Sequence, residues 1–128
     1  MRFLLDTCTF LWIAGGSEEL SRAAREAFVD PDNEVYLSAA SAWEIAVKNR
    51  LGRLPLPRPV DVFVPAERQA HGIAALEIGE EAALHVARLP ELHRDPFDRM
   101  LVAQALVGGL VVMTPDEAIR AYPVRTFW

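Results

Sequence analysis

The sequence predicts an α/β fold built on a parallel sheet. Three observations carry this. Short apolar runs recur along the chain, segments of helical spacing separate them, and turn or capping residues stand at most junctions. The length adds a bound: 128 residues are enough for one compact domain with a real core and too few for two. Residues 1–128 are therefore read as a single domain with right-handed crossovers.

Arg2-Phe-Leu-Leu-Asp6 is an apolar run ending in a polar residue, the pattern of a strand buried on both faces. Thr7 to Ala14 follows as a helix closed by Gly15-Gly16. Ser21 can cap a helix to about Phe28, and Asp30-Pro-Asp-Asn33 is turn chemistry. Val35-Tyr-Leu37 is the second strand, and Ser41 to about Leu51 a helix stopped by Gly52. Leu54-Pro-Leu-Pro-Arg-Pro59 is a stiff connector within the domain, because three prolines remove donors and hold their neighbours extended. A helix from about Val60 to Ala70 leads to a strand at Ile73–Leu76, and another helix spans about Glu80 to Leu89. Pro96 opens a helix that ends at Gly108-Gly109, and Leu110-Val-Val-Met113 is the fourth strand. A short helix from Pro115 and a last strand near Val124–Phe127 finish the chain.

Composition is globular, 52% hydrophobic and 24% charged. The single cysteine, Cys8, excludes an internal disulfide framework and fits a reducing cytosol. The apolar first fifteen residues are interrupted by Asp6 and lack a small-residue cleavage site. No segment approaches the roughly 20 apolar residues of a membrane-spanning helix. The expectation is a soluble, cytoplasmic protein without membrane contact. A net charge of −5 argues against non-specific nucleic-acid binding by the molecule as a whole. Its distribution is uneven, however: Lys48, Arg50, Arg53 and Arg58 cluster, and Arg94 and Arg99 bracket a pair of acids. Arginines beside an acidic pocket suit a metal-assisted phosphate site, and they equally suit ordinary surface ion pairs.

Those acids are Asp95 and Asp98, three residues apart at the head of an apolar helix; Asp6, Glu44 and Asp116 stand at comparable places. Each has a structural explanation. Asp6 can cap the helix starting at Thr7. Ser41-Ala-Trp-Glu44 reads as a capping box, with Glu44 as its acid. Asp95-Pro96 is a cap with proline at the first helical position, which puts Asp98 in the favourable first turn. Thr114-Pro-Asp-Glu117 repeats the box and leaves Asp116 over. Two spacings favour function instead. Asp98 shares a stripe with Leu101, Val102 and Ala105, and Glu44 falls in line with Val47 and Leu51. In open parallel sheets, sites form beyond the carboxyl ends of the strands, where Asp6 and Asp116 lie. Carboxylates gathered there repel one another unless a cation sits among them, and oxygen-only ligation suits Mg²⁺ or Mn²⁺. His71, His85 and His93 are scattered and offer no zinc site. The chemistry matching such a cluster is phosphodiester hydrolysis, which needs no Ser, Cys or His nucleophile.

The order Leu4-Leu-Asp-Thr7, Ser41-Ala-Trp-Glu-Ile45, His93-Arg-Asp-Pro-Phe-Asp-Arg-Met-Leu101, Thr114-Pro-Asp116 and Tyr122-Pro-Val124 resembles the PIN-domain family, nearest to the VapC-type toxins of bacterial toxin–antitoxin modules. The resemblance runs over essentially the whole chain. It implies an α/β/α sandwich around a mainly parallel sheet of four to five strands, and metal-dependent endoribonuclease activity. By position, Asp6, Glu44 and Asp98 match the family's first three acids, and Asp116 its more variable fourth. Asp6 and Asp98 are then the main metal ligands. Glu44 completes the cluster, and Asp116 serves a second ion or orients water. Asp95 is assigned first to capping. The resemblance also implies a homodimer and a cognate antitoxin that inserts into the acidic groove. Cys8 stands where many relatives carry histidine.

Three other readings stay open: a non-catalytic RNA- or protein-binding module, an RNA-processing nuclease that is not a toxin, and a phosphotransfer fold with Asp6 as nucleophile. The last is disfavoured because the only lysine is Lys48 and because position 8 is cysteine rather than a second aspartate.

Overall fold

The computed structural model describes residues 1–128. Five parallel strands form one sheet in the order β3-β2-β1-β4-β5: β1 Arg2–Leu5, β2 Glu34–Ser38, β3 Ala74–Leu76, β4 Val111–Met113 and β5 Thr126–Phe127. Seven helices fill the connections: α1 Thr7–Gly15, α2 Arg22–Val29, α3 Ala39–Arg50, α4 Val60–Ala70, α5 Glu80–His85, α6 Pro96–Gly108 and α7 Glu117–Arg120. The helix expected over Glu80–Leu89 is shorter than predicted, because α5 tightens into a single 3-10 turn at Val86–Arg88. No helix is long and apolar enough to cross a membrane.

Strand alternation builds two cores. Phe3 and Leu5 of β1 join Val111 and Met113 of β4 on one face, against Phe10, Ile13, Ala24, Phe63 and Val64 of α1, α2 and α4. Leu4 and Val112 point the other way, onto Leu101, Val102 and Ala105 of α6 and onto Ile119 and Tyr122. This is the expected sandwich, and β1 is buried on both faces as its unbroken apolar run requires.

The chain runs outward from β1 to β2 on one side and to β4 on the other, so the strand order reverses between β1 and β4. A parallel sheet opens its crevice at that switch, beyond the carboxyl ends. Phe3 pairs with Val111 and Leu5 with Met113, which brings the residues that follow, Asp6 and Thr114, to the same edge.

Helix caps set the remaining acids, and two expected caps are corrected. Ser38, not Ser41, caps α3: its hydroxyl accepts from the Ala40 amide at 2.9 Å. The helix thus begins a residue after β2 ends, and Ser41-Ala-Trp-Glu44 is no capping box. Glu44 lies inside the helix and is buried. At α7 the cap is Asp116, accepting from the Ala118 amide, so Thr114 is not the cap and Asp116 is not left over. Asp95 does cap α6, with one carboxylate oxygen accepting from the Phe97 amide at 2.9 Å and the Asp98 amide at 3.2 Å. Asp95→Ala is expected to cost about 1 kcal/mol in urea unfolding, whereas Asp95→Asn retains most of the stability. Equal losses in the two variants would refute the capping role.

Candidate active site

Asp6 leaves β1 and caps α1, its Oδ1 accepting from the Thr9 amide at 2.7 Å. Its Oδ2 accepts from the Thr114 hydroxyl, which in turn accepts from the Asp116 amide at 2.9 Å. One hydroxyl therefore orders the first acid and the backbone of the fourth. Asp6 is 4% exposed, and burial, aided by the charge of Asp116, raises its carboxyl above the ordinary range.

Glu44 enters from α3. The Thr7 hydroxyl donates to its Oε1 at 2.5 Å, and Lys48 one turn on meets its Oε2 at 2.5 Å. The Ser41 and Thr7 hydroxyls lie 3.1 Å apart. Leu51, expected on the same stripe as Glu44, is exposed. The burial of Glu44 thus comes from α1 packing over it rather than from an apolar helix face.

Asp98 sits in the first turn of α6, half-buried, on a stripe whose Leu101, Val102 and Ala105 are all core residues. Its carboxyl is pushed up to about 6, chiefly by burial and next by the charge of Asp95, with Asp116 and Glu44 adding to it. A contact from His93 works in the opposite direction. Asp116 is exposed at the rim. Cys8 stands among these groups: burial and the charges of Asp6, Glu44 and Asp98 push its thiol up, so it remains a protonated, weakly nucleophilic group.

The fold thus brings the four predicted acids into one electrostatic neighbourhood, with Lys48 as the cation at its edge. It does not assemble a finished cage: no three His, Cys, Asp or Glu side chains are gathered tightly enough to hold an ion. The carboxylates are instead engaged by hydroxyls, helix amides, Lys48 and His93. Their chemistry fits a hard divalent cation, since the donors are all oxygens; the carboxyls of Asp6 and Asp98 are raised first by burial and then by neighbouring carboxylates.

Sequence reading missed several partners. Thr7, Thr114, Lys48, His93 and Tyr122 all touch this neighbourhood or its supports, yet the sequence presents Thr7 as a helix start, Thr114 as a helix cap and Lys48 as one of a basic cluster. Lys48 carried one usable signal, being four residues after Glu44 on a helix. Arg99, compatible in sequence with a phosphate contact or a surface ion pair, forms no ion pair. It donates to the carbonyls of Pro90 and Val86 and to the Tyr122 hydroxyl, so it holds structure together.

Known proteins are similar to this chain in sequence and in fold. Ribonuclease VapC16 of Mycobacterium tuberculosis (strain ATCC 25618 / H37Rv) is 43% identical over 56 residues; the match covers 44% of this chain and 40% of that protein. Ribonuclease VapC22 of the same strain is 28% identical over 120 residues, covering 93% of this chain and 90% of that protein. Among solved structures, VapBC2 from Rickettsia felis bound to a promoter DNA fragment superimposes with a TM-score of 0.74 at 9% identity, covering 99% of this chain and 98% of that one, a likeness of fold. The PIN domain family model matches residues 3–124, a span that includes all four acids and the strands that deliver them. With that match over nearly the full length, on a sheet of five parallel strands, the chain belongs to the PIN domain family.

Proposed function

We propose that the protein is a divalent-metal-dependent endoribonuclease, the toxin of a toxin–antitoxin pair, which hydrolyses RNA phosphodiester bonds at the edge between β1 and β4. The observation that supports this reading is that Thr114 links Asp6 to Asp116 and that Asp98 feels the charges of Asp116 and Glu44, in a chain whose relatives VapC16 and VapC22 are named ribonucleases. Asp6 and Asp98 would hold Mg²⁺ or Mn²⁺, with Glu44 completing the acidic set and Asp116 at the rim. The ion, when bound, supplies the activation of the attacking water and the charge balance at the phosphate.

The chain's own residues contribute the rest. Thr114 and the amide of Thr9 hold both oxygens of Asp6, so that acid is fixed in place. Thr7 fixes Glu44 in the same way, while Lys48 balances its charge. Asp116 is exposed, with one carboxylate oxygen accepting from the Ala118 amide, and would orient water with the other. Trp43 is 60% exposed and meets Phe97 edge-on at 4.9 Å, beside the Glu44 and Asp98 positions. This aromatic flank suits the stacking of an unpaired base. The partners proposed with the activity are an RNA substrate, a cognate antitoxin and a second copy of the chain. The antitoxin is supported by the structural neighbours being VapBC complexes.

The purified chain incubated with cellular RNA in Mg²⁺ or Mn²⁺ is expected to yield discrete fragments, and none in excess EDTA. RNA left intact with every divalent ion, or cut equally in EDTA, would overturn the proposal.

A further inference from the structure

The motif around Asp98 contains residues that the four-acid account does not use: His93 and Arg99, together with the distant Tyr122. The structure joins them. One Arg99 nitrogen donates to the Tyr122 hydroxyl at 2.9 Å, and the same hydroxyl lies 2.7 Å from Nδ1 of His93. The other ring nitrogen, Nε2, lies 3.3 Å from Oδ2 of Asp98. Arg99 is itself tied to the carbonyls of Pro90 at 2.9 Å and Val86 at 3.3 Å, and its guanidinium lies 5.9 Å from the centre of the Tyr122 ring. Tyr122 is buried, and the His93 and Tyr122 rings meet edge-on at 5.3 Å.

For a neutral imidazole, donor counting sets the direction of every bond. A guanidinium has no acceptor, so Arg99 must donate and the Tyr122 oxygen must accept. The single phenol proton then has one partner left, Nδ1 of His93, which accepts with its lone pair. A neutral imidazole with Nδ1 accepting carries its proton on Nε2, and that N–H points at Asp98. The opposite tautomer would set the Nε2 lone pair against a carboxylate oxygen and leave the phenol proton without a partner.

We propose that Arg99, Tyr122 and His93 are positioning residues that fix the His93 tautomer and thereby hold one oxygen of Asp98, leaving the other turned to the cation; the inference rests on the metal-dependent reading above. The logic is that of outer partners that orient a metal ligand, whose loss typically weakens metal binding about 10–100-fold. It also accounts for the motif's spacing. His93 and Asp98 flank the turn capped by Asp95, and Arg99 follows Asp98 so that one helical turn carries both the ligand and the anchor of the relay.

The test uses the full chain and two measurements. In the metal-free protein near neutral pH, the ¹⁵N spectrum of the imidazoles should show the His93 proton on Nε2, and Tyr122→Phe should convert it to a tautomer mixture. In Mn²⁺ calorimetry, His93→Leu should weaken binding about 10–100-fold and Tyr122→Phe about 10-fold, while His93→Gln, whose amide can still donate to Asp98, stays within about 3-fold of wild type. A role in stability alone would lower the melting temperature of these variants without moving Mn²⁺ affinity or tautomer. Unchanged Mn²⁺ affinity in His93→Leu and Tyr122→Phe, beside a wild type that binds Mn²⁺, overturns the relay and leaves the nuclease reading standing. A wild type that binds no Mn²⁺ overturns that reading and the relay with it.

Discussion

Asp98→Asn is expected to lower metal-dependent RNA cleavage by at least about 10²-fold, the scale of losing one well-placed electrostatic contact in a transition state, and to make the metal-free protein more stable. The two effects share a cause. Asp98 is held at about 6 because the fold buries it beside Asp95, Asp116 and Glu44. An aspartate in the unfolded chain titrates near about 4. Above both values the wild-type fold carries an anion it disfavours by up to about 3 kcal/mol, which solvent screening at this half-buried position reduces to roughly 1–2 kcal/mol. Asparagine removes the charge and keeps an oxygen to accept from His93. The sign follows from proton binding. Between about pH 4 and 6 the native state holds the proton more firmly than the unfolded state, so wild-type stability falls as pH rises through that window. The variant should therefore match wild type near pH 4 and exceed it above pH 6, by about 3–8 °C in melting temperature without metal. Added Mn²⁺ should reverse the order, since only the wild type gains from binding. A variant less stable than wild type at pH 7 in EDTA would mean that Asp98 is an ordinary helix-start residue.

A second large effect lies in the pH dependence of metal binding. Protons and the cation compete for the same carboxylates, and both Asp6 and Asp98 hold protons more tightly than free aspartate. Below about pH 6 each unit of acidification should weaken Mn²⁺ affinity by about tenfold through Asp98 alone, and more steeply where Asp6 also takes up a proton. Above that pH the affinity should level off, and cleavage should follow the same curve. Calorimetry from pH 5 to 8 measures it directly. An affinity constant across that range would exclude Asp98 from the ion's ligands.

What the sequence reveals about this molecule divides by distance along the chain. The strands, the caps at Asp6, Ser21 and Asp95, and the proline connector are written in neighbouring residues, and the structure has them where local chemistry puts them. The errors are local ambiguities. Ser38 and Ser41 are both acceptable caps three residues apart, and only the pairing of β2 with β1 and β3, which ends the strand at Ser38, decides between them. The same holds for Thr114 and Asp116. The supports of the acids were hidden for a different reason. Thr114 lies 108 residues from Asp6, and Tyr122 lies 29 from His93. Such contacts exist only once the sheet has formed, and periodicity does not record them. Losing the capping-box explanation for Glu44 changes its standing most, because a buried glutamate within a helix needs partners, and those it has are Thr7 of α1 and Lys48.

The central claim is that the acids at the β1–β4 edge bind a divalent cation for RNA hydrolysis, and Mn²⁺ titration followed by electron paramagnetic resonance tests it most directly. Wild type should take up Mn²⁺ saturably near neutral pH, and the Asp6→Asn, Asp98→Asn double variant should leave the added ion free at the same concentrations. Saturable uptake of the same strength by the folded double variant would contradict the account.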